Sequence, residues 1–496
     1  MLVMSFGSLR YAYIRMLIQR GLGLIYGVAF LILFYQWSPL LGAQGLLPAP
    51  FFLKHAQFFE YPSIFFVYYS DEFAQLLILF GLSFSLLAVL GLSERFGRKV
   101  SLIIWLSLWL IYLSFVNVGQ IFYGYGWEIL LLESGFLALF LGSNQDEPSI
   151  WVITLYRWLL FRVIFGAGLI KLRGDECWNS FTCMQYHYQS QPLPNPMSWY
   201  FHHTPYWFHK LEGFFTYFVE LILPFFYFGP RRVRISSGLF TVLFQILLIF
   251  SGNLSWLNYI TIVIALSTLD DEFFVGVMKW KSDLIVNMNQ GFRDKSIHIR
   301  MSRVVFGVVL VLSINPVGNL MSSDQTMNRS FNSLHLVNTY GAFGSVSRKR
   351  YEVVISGTSE SQIHQNTTWL EYQFKGKPGD LRRVLPVVSP YHWKLDWQMW
   401  FAAMSSYREN SWILNLALHL LKGDPQTLSL ISVNPFPQAP PKFVRAELFL
   451  YEFTDENERI KTENTWKRQK VGDYLEPVSL DIPELIGIAK ELGWVE

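Results

Sequence analysis

Residues 157–224 read RWLLFRVIFGAGLIKLRGDECWNSFTCMQYHYQSQPLPNPMSWYFHHTPYWFHKLEGFFTYFVELILP, and the fold turns on this run. An apolar helix carrying Arg157 and Arg162 exits into a polar loop. That loop holds Cys177, Cys183, several histidines and Pro192, Pro194 and Pro196, and the chain then re-enters a second apolar helix carrying Glu220. Helices of this length and composition suit a bilayer, where about 20 residues cross roughly 30 Å of hydrocarbon and every backbone group is satisfied within the segment.

Composition agrees. The 496 residues are 52% apolar, 17% aromatic and only 16% charged, with a mean hydropathy of +0.27. That is too apolar for an ordinary soluble domain. A formal charge of +3 offers no footprint for nucleic acid. The sequence therefore predicts a multi-pass α-helical membrane bundle, with the lipid bilayer as its first partner.

Spans are expected at about 21–37, 73–92, 101–117, 121–142, 151–170, 211–229, 237–250 and 255–269, the first of them uncleaved. A short run at 304–314 makes the total eight or nine. With the N-terminus inside, the inside loops are SERFGRK, NQDEPS, GPRRVR and 270–303, mostly basic as the positive-inside rule requires. The cysteine loop then falls outside, and so does everything after about 318 if the run at 304–314 spans; if it does not, the C-terminal part falls on the cytoplasmic side. From about 335 the texture changes: RYEVVISG, WLEYQFKG and FVRAELFLYEF alternate like half-buried strands. WKLDWQMWFAAM, SWILNLALHLLKG and PELIGIAKELGW read as helices. The expected organisation is a transmembrane domain at 1–320 with an extracytoplasmic loop at 171–210, a linker at 321–334, and a soluble α+β domain with a β-rich core at 335–496.

Charged residues inside spans need partners or water. Glu133 and Arg162 lie at similar depths on either side of one short turn; they read as a buried pair fixing helix packing or as part of a substrate or ion path. Glu220 sits near mid-membrane and is read as protonated, paired with an arginine of the preceding span, or functional. In the loop, His187 and His203 are the candidates for acid–base chemistry. His202 and His203 are adjacent and do not converge easily, so neither a metal site nor a cofactor motif is expected. Cys177 and Cys183 are the only cysteines; outside the cytoplasm they favour a disulfide, the other reading being two inert thiols. His392 and Asp396 are four apart without a nucleophile. Sequons occur at Asn253, Asn328 and Asn366.

Several long blocks resemble the lipase maturation factor family, in the family's order. They include GAGLIKLRGDECWNSFTCMQYHYQSQPLPNPMSWYFHHTPYWFHKLE, YGWEILLLESGFLALFL, ISSGLFTVLFQILLIFSGNLSWLN, VNTYGAFGSVSRKRYEVVISGT, SPYHWKLDWQMWFAA and NPFPQAPPKFVRAELFLYEF. The resemblance implies a membrane-bound factor that assists folding and assembly of secreted lipases such as lipoprotein lipase. It also implies residence in the endoplasmic reticulum membrane, or in the inner membrane of a bacterium, with a lumenal or periplasmic C-terminal domain. It matches Cys177 and Cys183 to paired loop cysteines, and makes Tyr186, Trp199, Tyr206, Tyr391 and Trp397 the candidates for binding a client without catalysis. Gly376 stands where the family has a cysteine, and LPVV (385–388) lacks another, so one family disulfide is missing. The membrane half is more distantly similar to vitamin K-dependent carboxylases, which leaves a second reading: a membrane-embedded transferase or carboxylase-like enzyme acting on a lipid or quinol-type substrate through Glu133, Arg162, Glu220 and a loop histidine.

Overall fold

A computed structural model describes residues 11–144, 146, 148–277, 279, 295–492 and 494. Residues 278 and 280–294 of the inside loop expected at 270–303 lie outside them. Ten of the described helices form the frame of the membrane half: α1 (Ala12–Leu41), α2 (Asp71–Leu90), α3 (Arg98–Val118), α4 (Gly126–Ala138), α5 (Ile150–Arg173), α6 (Tyr206–Tyr217), α7 (Arg231–Ser251), α8 (Leu257–Ala265), α9 (Lys295–Leu312) and α10 (Ile314–Met321). Seven segments are long and apolar enough to cross a membrane, α6 being counted with its continuation to Phe228 and α9 with α10 as Ile297–Met321. The shorter α4 and α8 run between the same two ends of the bundle, making nine helical passes through the bundle among the described residues, seven of them long enough to cross a membrane.

Contacts at the helix ends show that the passes alternate in direction. On one face the amides of Ala12 and Tyr13 donate to Asp271 at 2.7 and 2.9 Å, Arg15 reaches the carbonyls of Ser143 and Asp146, and Arg20 pairs with Glu94 at 2.6 Å. Arg231 and Arg234 share Asp270 there at 2.8 and 3.0 Å. On the opposite face Gln36 donates to the His392 carbonyl at 2.7 Å, Asn253 to Pro386 at 3.0 Å and Asn415 to Leu46 at 2.8 Å. The cysteine loop and the C-terminal domain thus share one face, and the basic turns occupy the other. The run at 304–314 crosses as part of a longer helix, secured by Trp158 on Ser313 at 2.9 Å and Arg173 on the Leu320 carbonyl at 2.9 Å.

Local chemistry sets the breaks. The Ser70 hydroxyl caps α2 by accepting from Phe73 at 3.1 Å, Asp71 and Glu72 follow in its first turn, and Gly91 ends it at φ +74°, the left-handed conformation that suits glycine. After Tyr217 the sixth pass loosens into a π turn, Phe218–Ile222, and tightens into a 3-10 stretch from Leu223, where Pro224 supplies no N–H. The pass lies close against α5 because residue 168 has no side chain: a Cβ there would stand 2.9 Å from the Glu220 Cβ and 3.0 Å from its backbone.

The domain is organised on a four-stranded antiparallel sheet. Two two-residue strands, β1 (Arg329–Ser330) and β2 (Asn338–Thr339), precede it as a pair, so the expected linker begins one strand of a hairpin. The sheet contains β3 (Arg350–Thr358), β4 (Leu370–Glu371), β7 (Phe443–Phe453) and β8 (Trp466–Val478) in the order β4-β3-β7-β8. The expected strand WLEYQFKG is instead two: β4 joins this sheet, whereas β5 (Gln373–Phe374) pairs with β6 (Ile431–Val433). β3 was expected half-buried and is covered on both sides. Val353 and Ile355 face the main core with Leu395 and Leu416, and Val354 joins Trp199, Leu385 and Trp466 on the other side. Helices α11 (Lys394–Ala402) and α12 (Trp412–Lys422) pack against the sheet and the bundle, and α13 (Pro483–Glu491) ends the domain.

Candidate functional site

The seam between the bundle and the domain concentrates the buried charge. Glu133 and Arg162, nearly fully buried, form the ion pair expected from their depths. The backbone N–H and side-chain amide of Asn338 donate to Glu133 at 3.0 and 3.1 Å, Tyr340 donates at 2.8 Å, and the Asn338 carbonyl accepts from Arg162 at 2.5 Å. The pair therefore holds the first strand pair of the domain against α4 and α5. A second node was not foreseen. Lys394 donates to Glu128 at 2.8 Å and to the Phe122 carbonyl at 2.9 Å, its ammonium 3.6 Å from the centre of the Tyr123 ring. Tyr112 donates to the other Glu128 oxygen. Burial holds the Lys394 ammonium below its usual range, with Glu128 opposing the shift. The signal in the sequence was a lysine inside the apolar pattern WKLDWQMWFAA.

The third node joins the loop to the sheet. Arg350, at the start of β3, donates to the carbonyls of Gln189, Gln191 and Pro192, the first at 3.1 Å and the last at 2.9 Å. Its charge is balanced by Glu352 at 2.6 Å, and Glu352 also meets Lys377 at 2.8 Å. Three carbonyls on one turn of a proline-rich loop form an acceptor set, and the guanidinium fork suits it. Nearby, Asp396 accepts from the amides of Gly376 and Lys377 at 2.5 and 3.1 Å, and burial pushes its carboxyl up to about 6. The loop's other end is fastened by Arg348 on Asp175, a carboxylate that this pairing holds down at about 2. Cys177 and Cys183 are bonded to each other with Cα atoms 4.8 Å apart, against Trp178, Met184 and Val346.

Of the five residues considered for catalysis, His187 and Glu220 line one cavity, and Glu133, Arg162 and His203 lie outside it. Glu133 and Arg162 are committed to each other and to Asn338 and Tyr340. Glu220 pairs with Lys171, both its oxygens accepting at 2.8 Å, rather than with an arginine. Lys171 lies in the last turn of α5. His187 is buried beside Phe343, with ring centroids 5.1 Å apart. His203 lies over Trp199, with its Nδ1 2.7 Å from the Trp199 carbonyl. Among the described residues no three His, Cys, Asp or Glu side chains are placed to hold a metal ion.

The client-binding candidates also divide. Tyr206 is exposed, Tyr186 and Tyr391 are half-buried, and Trp199 and Trp397 are packed inside. Trp199 donates to the Thr454 carbonyl at 2.9 Å, and Trp397 sits among Tyr125, Trp127 and His392. Both indoles join the loop and α11 to their neighbours instead of being displayed. Asn253 is likewise structural, its amide donating to Pro194 and Pro386 and its oxygen accepting from Val388 at 2.7 Å. Asn366 is exposed.

Two family models match in sequence order: Lipase maturation factor transmembrane domain over residues 13–276 and Lipase maturation factor C-terminal domain over residues 336–476. The chain is 41% identical to Lipase maturation factor 1 of Homo sapiens, with 97% of this chain and 90% of that protein covered. It is 41% identical to the Mus musculus protein of the same name over 94% of this chain and 87% of the relative. It is 28% identical to Lipase maturation factor 2 of Xenopus laevis over 95% and 83%. No solved structure matches.

Proposed function

We infer function from one premise: the chain belongs to the lipase maturation factor family, across both its membrane and C-terminal parts. It acts as a membrane-bound maturation factor that helps a secreted or lumenal lipase reach its native form, by binding the client without catalysing a reaction on it. The observation that carries this reading is the 41% identity over 97% of the chain. The seam supports it. Arg350 and Arg348 fasten the cysteine loop to the domain, so that the two present one surface on one face of the membrane. Tyr206, with the partly accessible Tyr186 and Tyr391, would supply aromatic contacts, and the buried Trp199 and Trp397 would hold that surface in shape. The transferase or carboxylase-like reading requires Glu133, Arg162, Glu220 and a loop histidine around one substrate. It is less supported, because the first two are committed to each other and to the strand pair at Asn338 and Tyr340.

Expression in cells lacking their own lipase maturation factor tests the role. Secreted lipase activity should return at unchanged lipase mRNA; no return of activity from a correctly inserted protein would sink the reading. For location, we place the protein in the endoplasmic reticulum membrane of a eukaryote, or in the inner membrane of a bacterium, with the domain lumenal or periplasmic. The basic turns on the opposite face support that orientation. Asn366 then acquires a glycan in microsomes, removable by glycosidase and absent in Asn366→Gln. An unglycosylated domain open to cytosolic protease would reverse the orientation.

A further inference from the structure

A cavity of about 380 Å³ lies where α5, α6, α7 and α8 meet the underside of the domain. Its walls are largely apolar, with Val163, Ile164 and Ala167 from α5 and Phe244 and Leu248 from α7. Set into them are His187, Gln245 and Asn258, only 5%, 4% and 2% exposed. None of the three has a side-chain hydrogen-bond partner among the described residues, and all three line the cavity. Buried polar groups are nearly always hydrogen-bonded. Three unpartnered ones, from α7, α8 and the loop, in one apolar chamber mark a place prepared for a ligand's polar end.

The charge of the chamber narrows the ligand. Lys171 and Glu220 line it but neutralise each other, Nζ reaching both carboxylate oxygens at 2.8 Å. His187 adds no charge at neutral pH, since burial, and secondarily the Lys171 ammonium, hold its pKa at about 4. What remains is a neutral imidazole and two amides, which both donate and accept. The volume is near the small end of ligand pockets. Exposed Met327, Phe401 and Met404 also line the cavity and form its rim on the domain face, adaptable side chains that suit a flexible apolar molecule.

We propose that this cavity binds an uncharged, single-chain amphiphile. Its apolar chain lies along Val163, Ile164, Phe244 and Leu248, and its hydroxyl or carbonyl end is hydrogen-bonded by His187, Gln245 and Asn258. The site is independent of the client-binding role and stands or falls without it.

Full-length protein purified in detergent is exposed to a monoacylglycerol bearing a photoreactive diazirine in its chain, and separately to the fatty acid of the same chain. The monoacylglycerol should label peptides containing Val163–Ala167 and Phe244–Leu248, and unlabelled monoacylglycerol should compete. Labelling should fall about tenfold or more in the Gln245→Leu/Asn258→Leu double variant, since two hydrogen bonds to the ligand are lost. It should also fall in Ala167→Phe, which fills the chamber while leaving the polar groups in place. Labelling confined to the outward-facing Leu239, Phe240 and Leu243, equal labelling by the fatty acid, or undiminished labelling in folded variants would overturn the proposal. Absence of probe from the chamber, leaving only water there, would do the same.

Discussion

Replacing Arg350 with methionine keeps the bulk of the side chain and removes its five donors. Three carbonyls, those of Gln189, Gln191 and Pro192, then lose their partner. Glu352 keeps Lys377 at 2.8 Å, so no isolated carboxylate is left behind. Each carbonyl stranded in the interior costs about 1–3 kcal/mol, less where the loop shifts and admits water. The expected loss is about 3–5 kcal/mol, or a fall of about 10 °C in melting temperature for a domain of this size. Arg350→Lys keeps the charge but not the fork and should lie between. Tryptophan fluorescence during a thermal ramp in detergent measures the shift. Limited proteolysis reports whether cuts appear within residues 174–205 below the main transition, as they should once the loop is released locally. A methionine variant melting within about 2 °C of the parent, with the loop equally resistant, would refute the view that Arg350 joins loop and sheet.

Two further perturbations address the other nodes. Lys394→Met leaves Glu128 buried without its cation and should cost about 3–5 kcal/mol, whereas Lys394→Met with Glu128→Leu should recover much of that; thermal melts of the double variant no better than the single would contradict this. Asp396 has a folded pKa of about 6, above its ordinary 3.8. Its stabilising contribution is thus present below about pH 4 and lost as pH rises toward 6. Asp396→Asn keeps an acceptor for the Gly376 and Lys377 amides, so the melting temperature of the parent minus that of the variant should fall across this window and level off above it. A difference that rises with pH would show the sign to be wrong.

Much of the membrane half was legible because hydropathy and helix depth are local properties. The apolar runs locate the passes, and counting residues from one short turn brings Glu133 opposite Arg162. Glu220 shows where that method stops. Its partner Lys171 depends on the close approach of two helices at Gly168 and on a π turn, neither of which leaves a periodic mark in the sequence. Lys394 and Arg350 were missed for a related reason: their partners are 266 and about 160 residues away in the chain. β3 was read as half-buried because alternation predicts one wet face, yet here a loop from another part of the chain covers that face. Trp199 and Trp397 are expected at a client surface from the family resemblance, and tertiary packing puts both inside.

The last long segment has a consequence for topology. Each crossing carries the chain to the other side of a membrane, so the last crossing decides the address of everything after it. Ile297–Met321 is the least embedded of the seven long segments, held to α5 by Trp158 on Ser313 and Arg173 on Leu320. A lesion there would subtract one crossing rather than melt a fold. The bundle would still insert, the domain would be made on the wrong side, and the loop carbonyls that await Arg350 would face a compartment it never enters. Such a variant would be abundant, membrane-bound and inert, a fault of routing that no gain in thermal stability elsewhere would repair.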